Sequence, residues 1–339
     1  MRLTSPLILS CLIALAASHA LAAPGPRGAS GQLLVVSTIA PLGAIAREVG
    51  GDRVRVEVLV PAGGDPHTFV PEPRHRELVS RCDLFLSVGR EPFLKMLGEG
   101  GRIRLSWNDW VSAGVRVRGG NPHYIWLYPP NAKLVAEAVY RALARLDPDG
   151  EPYYRSHLEA FARRVDELSS WASAVVSSYG VEGAKVVLAA PHFEPLVEFL
   201  GFEVVCVIVR GAEVRAGPGD VEAAIRAIKE RGADVVVVLI TARWGDEGRA
   251  ARLVSEATGA PVAYLAGVPL HASDDYVTFI KENVMALVSA VSTSRERAAT
   301  AAPPPSRSEL GCYLLLLGLY ALTAINLRLA SGVRGRGRD

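Results

Sequence analysis

From residue 32 onward the chain alternates short apolar runs with stretches of helical period. "LLVVST", "VRVEVLV" and "LFLSVG" are rich in β-branched and aromatic residues, and "PLGAIAREVGG" and "PEPRHRELVSRC" separate them. A second series follows, "KVVLAA", "EVVCVIV", "DVVVVLI" and "PVAYLA", again with helical stretches between. Short apolar strands alternating with helices predict parallel sheets covered on both faces. Two such series predict two α/β lobes, residues 23–150 and 181–291, each a mainly parallel sheet with flanking helices.

The segment between the series has a different period. From 152 to 179 there is no proline after Pro152 and no glycine, and Gly180 stands where a C′ residue would end a helix. Tyr154, Leu158, Phe161, Val165, Leu168, Ala172 and Val175 recur every four then three residues, which makes one apolar stripe. The spacing predicts a single linking helix over 151–180, roughly 40 Å long at 1.5 Å per residue. Two lobes fixed to one such rod cannot hinge freely, so the cleft between them is expected to be preformed.

Both ends of the chain read as targeting segments. Residues 1–22 combine Arg2, an apolar stretch and a terminal "ALA", the pattern of a cleaved secretory signal. Residues 292–309 are rich in Ala, Pro and Ser and read as a flexible tether. Residues 310–330, containing "LGCYLLLLGLYALTAI", read as a transmembrane anchor, and the arginines of 331–339 as a basic cytoplasmic tail. The lobes are then expected on the extracytoplasmic face of the cell membrane, anchored at the C-terminus.

Charge and cysteine usage narrow the chemistry. The net charge is +2, and the tail supplies part of it. No basic stripe with interleaved aromatics occurs elsewhere, which argues against nucleic acid. The four cysteines form no C-x-x-C, so no thiolate metal site is expected, and they read as small buried apolar side chains.

Histidines carry the remaining signal. His75 and His157 lie on charged helical stretches and read as solvated side chains. His67, in "VPAGGDPHTFVPEP", follows the strand that ends at Val60. His123, in "NPHYIWLYPPNA", precedes a helix expected over 131–146. His192, in "LAAPHFEPLVEFLG", follows the strand that ends at Ala190. Ligands of parallel α/β sheets bind beyond the carboxyl ends of the strands, so all three are expected to face one cleft. Asp274 and Asp275 open the final helix after another strand, where an acidic residue also serves as an N-cap. Three imidazoles and one carboxylate suit a borderline divalent cation such as Zn²⁺ in four-coordination. His271 is a spare candidate.

At these residues the chain resembles the metal-binding substrate-binding proteins of ABC transporters, the zinc and manganese uptake receptors. "VVSTIAPLGAIAREVGGDRVRVEVLVPAGGDPHTFVPEP" is similar to that family's opening lobe, "NPHYIWLYPPNAKLVAEAVYRALARLDP" to its second-histidine segment, and "DDYVTFIKENV" to its final helix. The resemblance covers roughly residues 33–291. It implies two α/β lobes joined by a long helix, with the metal ligands at His67, His123, His192 and Asp274. It implies Zn²⁺ as cargo, with Mn²⁺ as the alternative, and a permease with its ATPase subunit as partners. It implies no enzymatic activity. The chain has no G-x-x-x-x-G-K-[ST], so ATP hydrolysis falls to a partner. A secreted zinc-dependent hydrolase is a competing reading, but the chain lacks H-E-x-x-H, and four protein ligands leave no open position for water. A manganese, iron or metal-chelate receptor is the other.

Overall fold

The computed structural model describes residues 31–210, 215–271 and 274–301. The signal segment (1–22), the apolar segment (310–330) and the basic tail (331–339) lie outside them, as do Cys11 and Cys312. Among the described residues no helix is long and apolar enough to cross a membrane.

The first lobe is a four-stranded parallel sheet. Its strands are β1 (Leu33–Ser37), β2 (Val54–Val58), β3 (Leu84–Leu86) and β4 (Ile103–Leu105), in the order β2-β1-β3-β4. Helices α1 (Ala40–Gly50), α2 (Pro73–Arg81), α3 (Leu94–Leu97), α4 (Trp107–Ser112), α5 (Tyr124–Leu127) and α6 (Pro129–Leu146) complete it. The strand β4 escapes the sequence reading because it is three residues long, lies at the sheet edge and carries Arg104 at its centre.

The linking helix α7 runs from Glu151 to Ser178. Gly180 ends it with φ 62°, while Val181 N–H donates to Val176 O. Those are the conformation and the bond of a Schellman stop. Tyr154, Phe161, Val165, Leu168 and Ala172 are buried as the stripe predicts, but at the C-terminal end Val176 replaces Val175 as the buried residue. A period of 3.6 rather than 3.5 carries the stripe round by one position there.

The second lobe repeats the plan. β5 (Lys185–Leu188), β6 (Glu203–Val207), β7 (Val235–Leu239) and β8 (Val262–Leu265) pair in parallel in the order β6-β5-β7-β8. Helices α8 (Glu194–Phe199), α9 (Pro218–Arg231), α10 (Asp246–Thr258) and α11 (Tyr276–Ala301) flank it. The tether expected at 292–309 therefore begins as helix. "STSRERAATA" contains no breaker before Pro303, and Arg295 ties this end to Asp234 at 3.0 Å and to Gly180 O at 2.8 Å.

Strand alternation divides the second lobe's interior in two. Val186, Leu188, Val235, Val237, Ala263 and Leu265 point toward α7 and α11 and join one continuous core with the whole first lobe. Val187, Val236 and Val238 point the other way, into a separate cluster under α9 and α10. A shared close-packed core holds the lobes at a fixed separation. Hydrogen bonds across the seam add direction. Trp126 Nε1–H donates to Gly267 O at 2.7 Å, and the buried Tyr276 hydroxyl donates to Trp126 O at 2.9 Å.

Candidate metal centre

His67 sits in the loop that follows β2. The backbone turns there because Gly63 adopts φ 68° and donates its N–H to Pro269 O across the cleft. At Gly64 a Cβ would lie 2.9 Å from Pro61 O, closer than a side chain tolerates. Asp65 Oδ1 accepts from His67 N–H at 2.9 Å, an Asx turn that leaves the imidazole exposed at the cleft.

His75 anchors this loop from below, which corrects its reading as a solvated side chain. It is buried, accepts the Glu72 N–H on Nδ1 at 2.8 Å and packs against Phe69, two residues beyond His67. Burial, with Arg74 adding to it, lowers its pKa below the usual imidazole value. His157 is likewise structural, half-buried, with Nδ1 3.0 Å from Glu48 O and its ring on Tyr153.

His123 is held more closely. Asn121 Oδ1 accepts both its backbone N–H at 3.0 Å and its Nδ1–H at 2.9 Å. The amide orientation follows from its other end, where Nδ2 donates to Pro191 O at 2.8 Å and Glu194 Oε2 at 3.1 Å. An oxygen there would face two acceptors. His123 is therefore the Nδ1–H tautomer, with a lone pair on Nε2. Burial, then the neighbouring His192 and His67, push its pKa well below the ordinary imidazole value, so it stays neutral and able to coordinate.

His192 enters from the second lobe at the end of β5. Its Nδ1 lies 3.1 Å from His123 Nε2, and its Nε2 lies 3.3 Å from Glu247 Oε1. One nitrogen from each of His67, His123 and His192 falls within 4.8 Å of the others. Two nitrogens on a tetrahedral Zn²⁺ with bonds of about 2.0–2.1 Å stand about 3.3 Å apart, so a small inward shift of this trio brackets an ion. The topological rule thus brings together three histidines from two lobes.

Asp274 is not in that group. Its Oδ2 accepts His271 N–H at 2.9 Å and lies 3.3 Å from His271 Nδ1, so the carboxylate is held in its own turn. Asp275 caps α11 through Val277 N–H and Thr278 N–H and pairs with Arg164 at 3.1 Å. The acid that does face the histidines is Glu247, in the first turn of α10. Sequence reasoning passed over it, although "WGDEGRAARLV" follows β7 at the same strand-to-helix junction that singled out the histidines.

The cleft around the trio is lined by Arg90, Arg118, Asn121, Glu194 and Glu247, and Cys206 reaches it half-buried rather than fully buried. A neighbouring apolar cavity reaches from His67 and His123 to Trp126, Gly267 and Leu270.

Comparison with known proteins shows the family and the fold. Residues 35–290 match the ZnuA family, described as zinc-uptake complex component A, periplasmic. The manganese-binding lipoprotein MntA of Halalkalibacterium halodurans is 27% identical over 77% of this chain and 89% of its own. The metal ABC transporter substrate-binding lipoprotein SloC of Streptococcus mutans is 22% identical over 78% of this chain and 89% of its own. The periplasmic zinc binding protein TroA from Treponema pallidum shares the fold, with a TM-score of 0.63 at 19% identity over 77% of this chain and 99% of that one. The chain belongs to the ZnuA family of metal ABC transporter substrate-binding proteins, and it is a transport component rather than an enzyme.

Proposed function

We propose that this protein captures Zn²⁺ outside the cell and delivers it to a membrane permease driven by a separate ATPase subunit. The observation that carries the reading is the convergence of His67, His123 and His192, from two lobes, onto one point. Imidazole-rich coordination favours zinc over manganese, which prefers oxygen donors. Asp274 is the proposed fourth ligand. The segment leading to it, Gly267 to Leu270, borders the cavity that reaches His67 and His123, and to coordinate there its carboxylate would leave the N–H and Nδ1 of His271. With four protein ligands the ion is held as cargo, with no open position for hydrolytic water.

Mn²⁺ is the second reading, favoured by the manganese-binding name of the relative from Halalkalibacterium halodurans. Calorimetric titration of metal-stripped protein with each ion distinguishes the two. One zinc ion per chain, bound more tightly than manganese, is expected. Tighter manganese reverses the assignment, and no binding of either ion removes the proposal. Attachment to the membrane through 310–330, with 331–339 inside, is the proposed placement. Full-length protein recovered free in the medium would exclude it.

A further inference from the structure

Among the described residues Glu247 has one partner, and that partner is a histidine of the trio. Its Oε1 lies 3.3 Å from His192 Nε2, its Oε2 is buried without a hydrogen-bond partner among the described residues, and its side chain is 23% exposed. No other side chain or backbone group among the described residues holds the carboxylate, so its position is governed by His192.

The tautomers decide what that contact does. His123 has its Nδ1–H committed to Asn121, so its lone pair is on Nε2, and this Nε2 faces His192 Nδ1 at 3.1 Å. An ion shared by both rings therefore meets His192 on Nδ1. A ring cannot offer both nitrogens to one ion, and the far nitrogen, Nε2, carries the proton and points at Glu247. Here the His123 Nε2 lone pair accepts the His192 Nδ1–H; with an ion in place of that proton the two lobes hold their histidines alike, an oxygen behind each ring and a lone pair in front. Asn121 serves the ring of the first lobe and Glu247 that of the second.

We infer that Glu247 is the positioning residue of this metal centre, holding the Nε2–H of His192 when an ion replaces the Nδ1 proton, so that Nδ1 faces the ion. The inference rests on the metal-capture reading. A carboxylate behind a ligating imidazole fixes the ring orientation and raises the basicity of the ligating nitrogen, which strengthens the bond to the ion. Glu247 reaches no other member of the trio, so its effect passes through His192 alone.

The test uses full-length protein, metal-stripped and titrated with zinc, in wild-type form and as Glu247→Ala and Glu247→Gln. Glu247→Ala is expected to weaken zinc about ten- to hundredfold. Glu247→Gln keeps an accepting oxygen and is expected to recover a large part of that loss. Nitrogen-15 spectra of histidine-labelled, zinc-loaded protein should show His192 bound through Nδ1 with a protonated Nε2, and a faster-exchanging Nε2–H in Glu247→Ala. A purely structural role would leave these signals in place. Equal zinc affinity in wild type and Glu247→Ala overturns the inference, as does a His192 metallated on Nε2. Wild-type protein that binds neither zinc nor manganese overturns the metal-capture reading and this inference with it.

Discussion

The two lobes share a strand order and differ in how their interiors are closed. Both faces of the first sheet drain into a single core that continues through α7 and α11, whereas the second sheet gives one face to that core and seals the other under α9 and α10. The histidines differ in parallel. His123 of the first lobe is gripped at both its backbone and its ring by Asn121, whose other end is anchored on the second lobe. His192 of the second lobe is held behind by Glu247, on a helix of the separate cluster. The lesson is that the fixed part of the site is the seam itself. What remains adjustable lies at its two outer edges, the exposed His67 loop and the α10 turn.

The largest effect that probes this division is loss of a ligand. A four-ligand zinc site contributes on the order of 10–16 kcal/mol, so His67→Ala, His123→Ala or His192→Ala should each cost about 3 kcal/mol of binding or more. If the seam is the fixed part, His67→Ala leaves the metal-free fold intact, because its ring is exposed. Calorimetry and thermal melting on the same samples check both halves. A His67→Ala protein that binds zinc as wild type does would break the comparison at its first step.

Next comes the support behind His123. Asn121→Ala frees the ring to flip and releases the bonds to Pro191 and Glu194, so an affinity loss of about ten- to hundredfold is expected. Titration beside Glu247→Ala sharpens the contrast between lobes. Asn121→Ala should also lower the melting temperature of metal-free protein, since it severs the seam, and Glu247→Ala should not.

Glu198 tests the seam away from the metal. It accepts the hydroxyl of the buried Tyr124 at 2.7 Å and pairs with Arg116 and Arg118, fastening α5 to α8. Burial and this carboxylate raise the Tyr124 pKa above the phenol range, so the hydroxyl remains a donor. Glu198→Ala leaves that donor unpaired, at a cost of about 2 kcal/mol. Denaturant unfolding measures it, with one zinc per chain still bound.

How much of this was legible without coordinates depended on whether the cause was local. The strand runs and the α7 stripe could be read because period and β-branching act along the chain, and the histidine trio could be read from topology alone. His75 was misread because "PEPRHREL" looks solvated, while its burial comes from Phe69 across a turn. Asp274 and Glu247 both follow strands, and nothing in their neighbourhoods says which carboxylate faces a ring 55 residues distant in sequence. The helical course of 292–301 rests on Arg295 meeting Asp234 and Gly180, partners that no window of sequence contains.

Acid sensitivity probes the buried histidines more gently. His123 and His75 both have folded-state pKa values below the ordinary imidazole value near 6.5. As pH falls through that value, the unfolded chain takes up protons that the folded chain refuses. Stability present above about pH 6.5 is therefore lost on acidification, with a slope of up to about 1.4 kcal/mol per pH unit for each residue. Urea midpoints of metal-free protein between pH 7.5 and 5.5 should decline. A flat profile would mean that neither ring is held neutral by the fold.

The smallest effect concerns the far end of the second lobe. Arg295 donates to Asp234, which also accepts the Lys185 N–H that opens β5, and to Gly180 O at the stop of α7. The pair is only partly shielded, with the arginine 36% exposed and the aspartate 14%, so Arg295→Ala should cost about 0.5–1 kcal/mol globally. Its local consequence is larger than its global one. The last turns of α11 bury few large apolar side chains, and without Arg295 little opposes their fraying. Amide exchange should accelerate over 292–301 while 276–291, packed on α7 and β8, stays protected. Unchanged exchange at 292–301 would show that helix propensity, not the bond to β5 and α7, carries this segment beyond the lobe.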